Sequence, residues 1–138
     1  MITSHSSASA YLAATGRVLL GALFLISGFS KLMAPAATTA YIAAAGLPFP
    51  TLAYLGAVFV EVVLALALLV GFRVRLVAAL MAVFTLATAF AFHFRLADQN
   101  QFIHFFKNLS IVGGLLQVVA FGGGALSLDG RARGLKAA

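Results

Sequence analysis

Glu61 is the residue of this sequence most able to carry chemistry, because it is the single acidic residue in a long apolar run over 51–71. About ten residues of helix correspond to a depth of ~15 Å, where an unpaired charge costs at least ~2.5–3.5 kcal/mol in a bilayer. The carboxylate must therefore be paired, protonated or hydrated. Such a residue indicates a functional site by default, and we treat it as a candidate for proton handling. A salt bridge that only fixes the register of the helices is an equal alternative.

Four polar residues could pair with Glu61. Lys31 would approach from one end of the membrane and Arg17 from the other, while Asn108 and Gln117 lie in a later apolar run. The sequence leaves the partner open, because helix tilt and register change these depths. Two of the four also have structural alternatives: Lys31 could extend to the headgroups as an anchor, and Asn108 could cap its own helix.

The other reactive side chains do not form a recognisable catalytic or metal site. The sequence has no cysteine, which excludes disulfides, thiolate zinc sites and iron–sulfur ligation by this chain. His93 and His104 lack the spacing of a paired haem or metal site on one helix, so an interfacial position is the simpler interpretation. No nucleotide-binding, metalloprotease or hydrolase motif occurs. We therefore predict no metal and no cofactor bound covalently or by metal ligation, and whether the protein is an enzyme stays open.

The elements that must position these residues are membrane helices. Of the 138 residues, 63% are apolar and only 9% are charged, and the mean hydropathy is +1.10, far from the balance of a soluble domain. Four runs are apolar all round for about twenty residues, which is the length that crosses a ~30 Å hydrocarbon layer and not the alternating pattern of a barrel. The sequence thus predicts an all-α integral membrane four-helix bundle, embedded in a lipid bilayer, with spans at about 11–33, 51–71, 76–94 and 105–121.

The rest of the chain fits around one membrane domain over 11–129. Residues 1–10 are predicted to be a disordered lead, and residues 130–138 form a basic tail. Pro35 ends the first span, and residues 36–46 are predicted to form a short surface helix before the prolines at 48 and 50. Residues 95–104 are predicted to be the loop before the last span.

Basic residues indicate the orientation. Six lie near the side of the termini and three near the other: Arg17, Arg73, Arg75, Arg131, Arg133 and Lys136 against Lys31, Arg95 and Lys107. This bias predicts cytoplasmic termini. The net charge of +6 is explained by these basic residues beside the spans, which set the orientation in the membrane. Because the sequence has no clustered basic patch and no base-reading motif, we predict no nucleic-acid partner.

Two stripes of small and polar residues follow helical spacing. They are Arg17, Gly21, Phe24, Gly28 and Lys31 in the first span, and Lys107, Ser110, Gly114, Gln117 and Phe121 in the fourth. Small residues let membrane helices approach closely, and polar residues can bond across the contact. Both stripes are predicted to face neighbouring helices.

An ordered set of motifs resembles the DoxX family of small bacterial membrane proteins over residues 16–129. The set is Arg17-x3-Gly21, FLxxGxxK at 24–31, GLP at 46–48, Glu61, Gly71, Arg75, His93, KNLxxxGG at 107–114 and SLD at 127–129. The resemblance implies a multi-pass protein of the bacterial inner membrane. Relatives include the small subunit of an archaeal thiosulfate:quinone oxidoreductase, and others are associated with redox complexes and oxidative stress. The family positions carried onto this chain are Arg17, Lys31, Glu61, Arg75, His93, Lys107 and Asn108.

Three classes of function follow. The favoured one is a redox-associated subunit that binds a quinone headgroup or small anion within the bundle and receives electrons from a partner protein; its candidate binding residues are Arg17, Lys31, Glu61, His93, Lys107, Asn108 and Gln117. The alternative is a non-catalytic scaffold that holds a partner through the loop at 34–50 or 95–106. A weaker alternative is a small transporter, which a chain of this size would form as a homo-oligomer. The sequence does not identify the substrate or the electron donor.

Overall fold

The structure, a computed structural model, describes residues 7–137, with side chains described as far as Gly134. Six helices occur in this part of the chain: α1 Ser7–Met33, α2 Pro35–Ala44, α3 Pro50–Val70, α4 Val74–His93, α5 Gln99–Phe121 and α6 Leu128–Ala137. Helices α1, α3, α4 and α5 are long and apolar enough to cross a membrane. Residues 7–137 contain no strand, so the predicted all-α, four-span class is confirmed.

Several helix ends differ from the predicted spans. Helix α1 begins at Ser7, so residues 7–10 of the predicted lead are helical, while residues 1–6 lie outside the described chain. Helix α5 begins at Gln99, inside the segment predicted as a loop, because the Asp98 carboxylate accepts hydrogen bonds from the backbone N–H groups of Asn100 (2.9 Å) and Gln101 (3.0 Å). Asp98 is therefore the cap of α5, and the prediction that Asn108 could cap this helix is wrong.

Helix α3 changes its winding at its centre. Residues Phe59–Leu64 form a π-helical segment between two α-helical ones, and Glu61 lies within it. Gly28 of α1 packs directly against this segment: a Cβ on Gly28 would lie 2.7 Å from Val62 Cγ2 and 3.1 Å from Glu61 Cβ. The glycine is thus what allows α1 to approach the π-helical turn, and π-helical segments are frequent at functional sites.

The stripe predicted on α1 is the face that packs in the bundle. The buried residues of α1 are Arg17, Gly21, Phe24 and Gly28, and Lys31 is partly buried at the end of the same row. Phe24 joins an apolar core with residues of α3, α4 and α5, among them Leu68, Met81 and Leu115. The prediction for this helix is confirmed.

The stripe predicted on α5 is confirmed only at Gly114, where an added Cβ would lie 3.5 Å from Leu20 Cδ2 of α1. Ser110, Gln117 and Phe121 are exposed, whereas the buried residues of this helix are Phe105 and Leu115. The Ser110 hydroxyl donates to the Phe106 carbonyl of its own helix at 3.0 Å and therefore needs no neighbour. The apolar side chains, which gain packing contacts, decide which face of α5 turns inward.

The segment after α5 closes one end of the bundle, which we call the terminal end and define by residues 71–75 and 122–133. Arg17 donates hydrogen bonds to the carbonyls of Gly123 and Leu126, the latter at 2.9 Å. The Asp129 carboxylate accepts from the N–H groups of Arg73 (2.9 Å) and Val74 (2.7 Å), which caps the start of α4. These contacts join α1, α4 and α6, so the SLD motif that contains Asp129 has a structural role.

Candidate functional site

A cavity of about 650 Å³ lies between the helices at the end of the bundle opposite to the termini. Helices α1, α2, α3, α4 and α5 all contribute to its wall, and most of the lining is apolar or aromatic: Phe24, Tyr41, Ile42, Phe84, Phe92 and Ile111 are examples. The volume is within the range of pockets that bind small molecules, and an apolar wall with a few polar groups is typical of them.

The surface helix α2 forms one side of the cavity. The Tyr41 ring stacks on the Phe92 ring of α4 with a centroid separation of 5.4 Å, and Ile42 is buried. Both residues line the cavity. Their contacts fix α2 across the bundle, so the short helix predicted from the sequence is part of the candidate site.

Glu61 and Lys31 form an ion pair in the cavity wall. Lys31 Nζ lies 2.8 Å from Glu61 Oε2 and 3.0 Å from Oε1, and Glu61 is 6% exposed. Lys31 also donates to the Ser27 hydroxyl, one helical turn before it, at 2.8 Å. Lys31 is therefore the partner of the buried acid. Arg17 lies about 20 Å from Lys31 along α1 by helical rise and instead donates to carbonyls of the terminal end.

Lys31 is held at the end of its helix by a second contact. The Tyr54 hydroxyl lies 3.4 Å from the Lys31 carbonyl oxygen and donates to it. Lys31, Ser27 and Glu61 all line the cavity, whereas Tyr54 does not. Tyr54 therefore acts on the backbone that carries Lys31, a role that no pattern in the sequence indicates.

A second polar group surrounds the end of α4. His93 Nδ1 donates to Gln101 Oε1 at 2.8 Å, since an amide oxygen can only accept. Lys107 Nζ donates to His104 Nδ1 at 3.0 Å, so that nitrogen carries no proton. The His93 and His104 rings stack with centroids 5.2 Å apart. His93 and Lys107 line the cavity, and this group therefore gives it a second polar end.

The structure brings together five of the seven candidate residues and separates two. Lys31, Glu61, His93, Lys107 and Asn108 line the cavity. Arg17 is buried at the terminal end, and Gln117 is exposed on α5.

Some polar residues of the site were missed by the sequence reasoning. Ser27 and His104 lie four and three residues from the lysines that they contact, and this helical spacing is a signal that could have found them. Thr85 also lines the cavity, and its hydroxyl donates to the Met81 carbonyl of its own helix at 2.7 Å. Nothing in the sequence separates Thr85 from a threonine of an ordinary span.

The lining combines ammonium donors and a carboxylate acceptor in one largely apolar cavity. No three histidine, cysteine, aspartate or glutamate side chains converge on a point within the described chain. The polar chemistry of the lining is instead that of an ammonium–carboxylate pair at one side and an imidazole, an amine and an amide at the other. Such a site can orient a small molecule with polar ends and an apolar body.

The fold and the cavity define a class: a multi-pass helical membrane protein with a polar site enclosed by its spans. Comparison with known proteins agrees with this class. The DoxX family model matches residues 12–94, and the chain belongs to the DoxX family. The match includes α1, α2, α3 and α4, and therefore the Lys31–Glu61 pair and His93.

Two relatives from Escherichia coli K12 extend the similarity to most of the chain. The inner membrane protein YphA is 38% identical over 120 residues, which covers 83% of this chain and 86% of the relative. The inner membrane protein YqjF is 39% identical over 113 residues, which covers 82% of this chain and 85% of the relative. No solved structure matches the chain significantly. The family, these relatives and the four spans make this chain a multi-pass protein of the inner membrane.

Proposed function

We propose that this protein is a redox-associated membrane subunit that binds a quinone headgroup in the cavity between its spans. The observation that carries the proposal is the ion pair of buried Glu61 with partly buried Lys31 in the wall of a cavity that is otherwise largely apolar. A quinone has a flat apolar ring and two carbonyl oxygens, which require hydrogen-bond donors. Lys31 and Lys107 supply ammonium donors, and the aromatic side chains Phe24, Phe84 and Phe92 supply the ring contacts.

Glu61 has the role of passing protons. Reduction of a quinone to a quinol takes up two electrons and two protons. In this proposal the electrons come from a partner protein, and Glu61 transfers the protons in succession to the quinone oxygens, taking up each replacement from water that reaches the cavity. Lys31 keeps the carboxylate in place between these transfers, at 2.8 Å.

A small anion is the second candidate ligand, because the cations of the lining outnumber its acids. Two cations, Lys31 and Lys107, and one carboxylate, Glu61, are among the residues that line the cavity. An anion would bind to the ammonium groups and would not need the aromatic wall. The two ligand classes therefore differ in which side chains they require.

The test is equilibrium dialysis of the purified protein in detergent against a short-chain ubiquinone, with the bound fraction measured by its ultraviolet absorbance. We expect saturable binding that Lys31→Met weakens at least ten-fold, together with quinone in organic extracts of the protein purified from membranes. Arg95→Gln is the matched control, because Arg95 is an exposed cation at the same end that does not line the cavity.

Further variants separate the two ligands. Phe84→Ala should weaken binding of the quinone and leave competition by sulfate or acetate unchanged. Displacement of the quinone by millimolar sulfate, with no effect of Phe84→Ala, would favour the anion. Non-saturable uptake of the quinone that is equal in all variants would reject the quinone as ligand.

A further inference from the structure

Two arginine side chains from different helices meet at the end of α5. Arg75 lies in the first turn of α4 and Arg133 in α6, yet both guanidinium groups approach Gly122, the residue that follows α5. A Cβ on Gly122 would lie 3.5 Å from Arg75 Nε, 3.9 Å from Arg75 Nη2 and 3.8 Å from Arg133 Nη2. Arg75 Nε and Arg133 Nη2 are therefore at most about 7.3 Å apart, since both approach this one point.

In the part of the chain that the structure describes, the acidic side chain of this end is hydrogen-bonded elsewhere. Asp129 is the one acid of the terminal end, and its two carboxylate oxygens accept from the backbone N–H groups of Arg73 and Val74. Arg133 Nε donates to the Asp129 carbonyl at 3.3 Å, which is a neutral acceptor. Neither Arg75 nor Arg133 forms a salt bridge within the described residues. Two like charges at this separation repel, and a bound anion would relieve the repulsion.

The surroundings indicate which anion would bind. Arg75 and Gly122 lie at the ends of membrane spans, and the neighbouring side chains Phe72 and Phe121 are 51% and 77% exposed. Exposed apolar side chains at a span end are available to contact acyl chains, while the ends of the span itself are close to the headgroups. An anion at this level that also has apolar chains is an anionic phospholipid. Guanidinium groups also present paired N–H donors that match the oxygens of a phosphate.

We propose that Arg75 and Arg133 together bind the phosphate of one anionic phospholipid at the end of α5. The site is at the opposite end of the bundle from the cavity and does not depend on the proposed function. It differs from a general attraction of basic residues to anionic membranes, because it requires two particular side chains. Arg131, also exposed on α6, is further from the point at Gly122 and should not contribute.

The experiment is native mass spectrometry of the full chain in detergent, titrated with phosphatidylglycerol or with zwitterionic phosphatidylcholine. We expect one phosphatidylglycerol to bind at least five-fold more tightly than phosphatidylcholine. Arg75→Gln and Arg133→Gln should each remove most of this preference, and the double variant should lose little more than either single one. Arg131→Gln is the matched control, with the same loss of charge on the same helix, and should change the affinity less than two-fold.

Three outcomes would overturn the proposal. One is an equal loss for Arg131→Gln and Arg133→Gln, which would mean a diffuse attraction to the basic surface. Another is an equal affinity for the two lipids. The third is full displacement of phosphatidylglycerol by millimolar inorganic phosphate, which would assign the site to a soluble anion. Circular dichroism of each variant at the same temperature checks that it is folded. If Arg75→Gln does not fold, Arg75→Lys is used in its place.

Discussion

Lys31 and Glu61 are thirty residues apart in sequence and their charged atoms are 2.8 Å apart in the bundle. The carboxylate is in a π-helical turn of α3 and the amine is at the end of α1, so the pair connects two spans. A buried ion pair is weak evidence for stability, because desolvation offsets much of the attraction. Its position in a cavity wall is what gives the pair a candidate role in ligand binding.

Removal of Lys31 alone should destabilise the bundle more than removal of both charges of this pair. Lys31→Met leaves the buried Glu61 carboxylate without a counter-ion and should reduce the free energy of unfolding by about 3 kcal/mol. Combining it with Glu61→Gln removes the unpaired charge and should restore a large part of the loss. Unfolding in detergent, followed by circular dichroism, measures both. A single variant as stable as the unmodified protein would show that water, and not Lys31, compensates the carboxylate.

Gly28 should be intolerant of a side chain. Gly28→Ala would place a methyl group 2.7 Å from Val62 Cγ2 and 3.1 Å from the Glu61 backbone carbon, and α1 would have to move away from α3. We expect a loss of about 1–3 kcal/mol, the usual effect of overpacking. Gly16→Ala is the control on the same helix, since no atom lies within 4 Å of its Cβ position, and it should be neutral or stabilising. Similar losses at the two positions would contradict the close contact.

Alanine substitutions at Gly71 and Gly46 distinguish the cost of backbone strain from the cost of packing overlap. Both have a positive φ, +81° and +80°, so alanine at either should cost about 1 kcal/mol for the left-handed conformation. At Gly71 the new Cβ would also overlap the Cβ of Ser127, whereas at Gly46 no atom lies within 4 Å. Thermal unfolding should therefore show a clearly larger loss for Gly71→Ala. Equal losses would mean that the segment at Ser127 moves aside freely.

Asp129 should stabilise the start of α4 through its side chain. Asp129→Ala removes the acceptor for the Arg73 and Val74 N–H groups and should cost about 1 kcal/mol, as at other helix caps. Hydrogen exchange of the amides at 73 and 74 should become faster, with little change in the middle of α4. Asp129→Asn keeps one of the two acceptor oxygens and should retain protection at only one of the two amides. Loss of protection along the whole helix would indicate a wider role for the SLD motif.

Asn108 and Gln117, two amides of α5, should differ in their effect on ligand binding. Asn108 lines the cavity, and Asn108→Leu should weaken quinone binding several-fold. Gln117 is exposed on the same helix, has no hydrogen bond among the described side chains, and does not line the cavity, so Gln117→Leu should leave both binding and stability unchanged within about 0.5 kcal/mol. The dialysis assay applied to both variants tests this difference. Weaker binding in the Gln117 variant alone would place the ligand elsewhere.

The sequence by itself determined the class, the number of spans and the face of α1 that packs. In a bilayer each backbone polar group must be bonded within its own segment, so four long apolar runs can only be helices. The same solvent makes the rare polar residues informative, because an acid such as Glu61 must find a partner. The spacing of Arg17, Gly21, Phe24 and Gly28 therefore predicted a buried row, which the structure confirms.

Only the tertiary structure decided which polar residues meet. By sequence, Lys31 and Arg17 are equivalent partners for Glu61, since both lie on the same row of α1. The structure places the π-helical turn that carries Glu61 next to Lys31, and this decides between the two. Most of the row on α5 was predicted wrongly, because a hydroxyl such as that of Ser110 can bond its own helix and polarity did not require a neighbour there. Packing of Phe105 and Leu115 chose the buried face instead. Helix identity is a local property of each segment, whereas the cavity and the meeting of Arg75 with Arg133 depend on how distant segments approach one another.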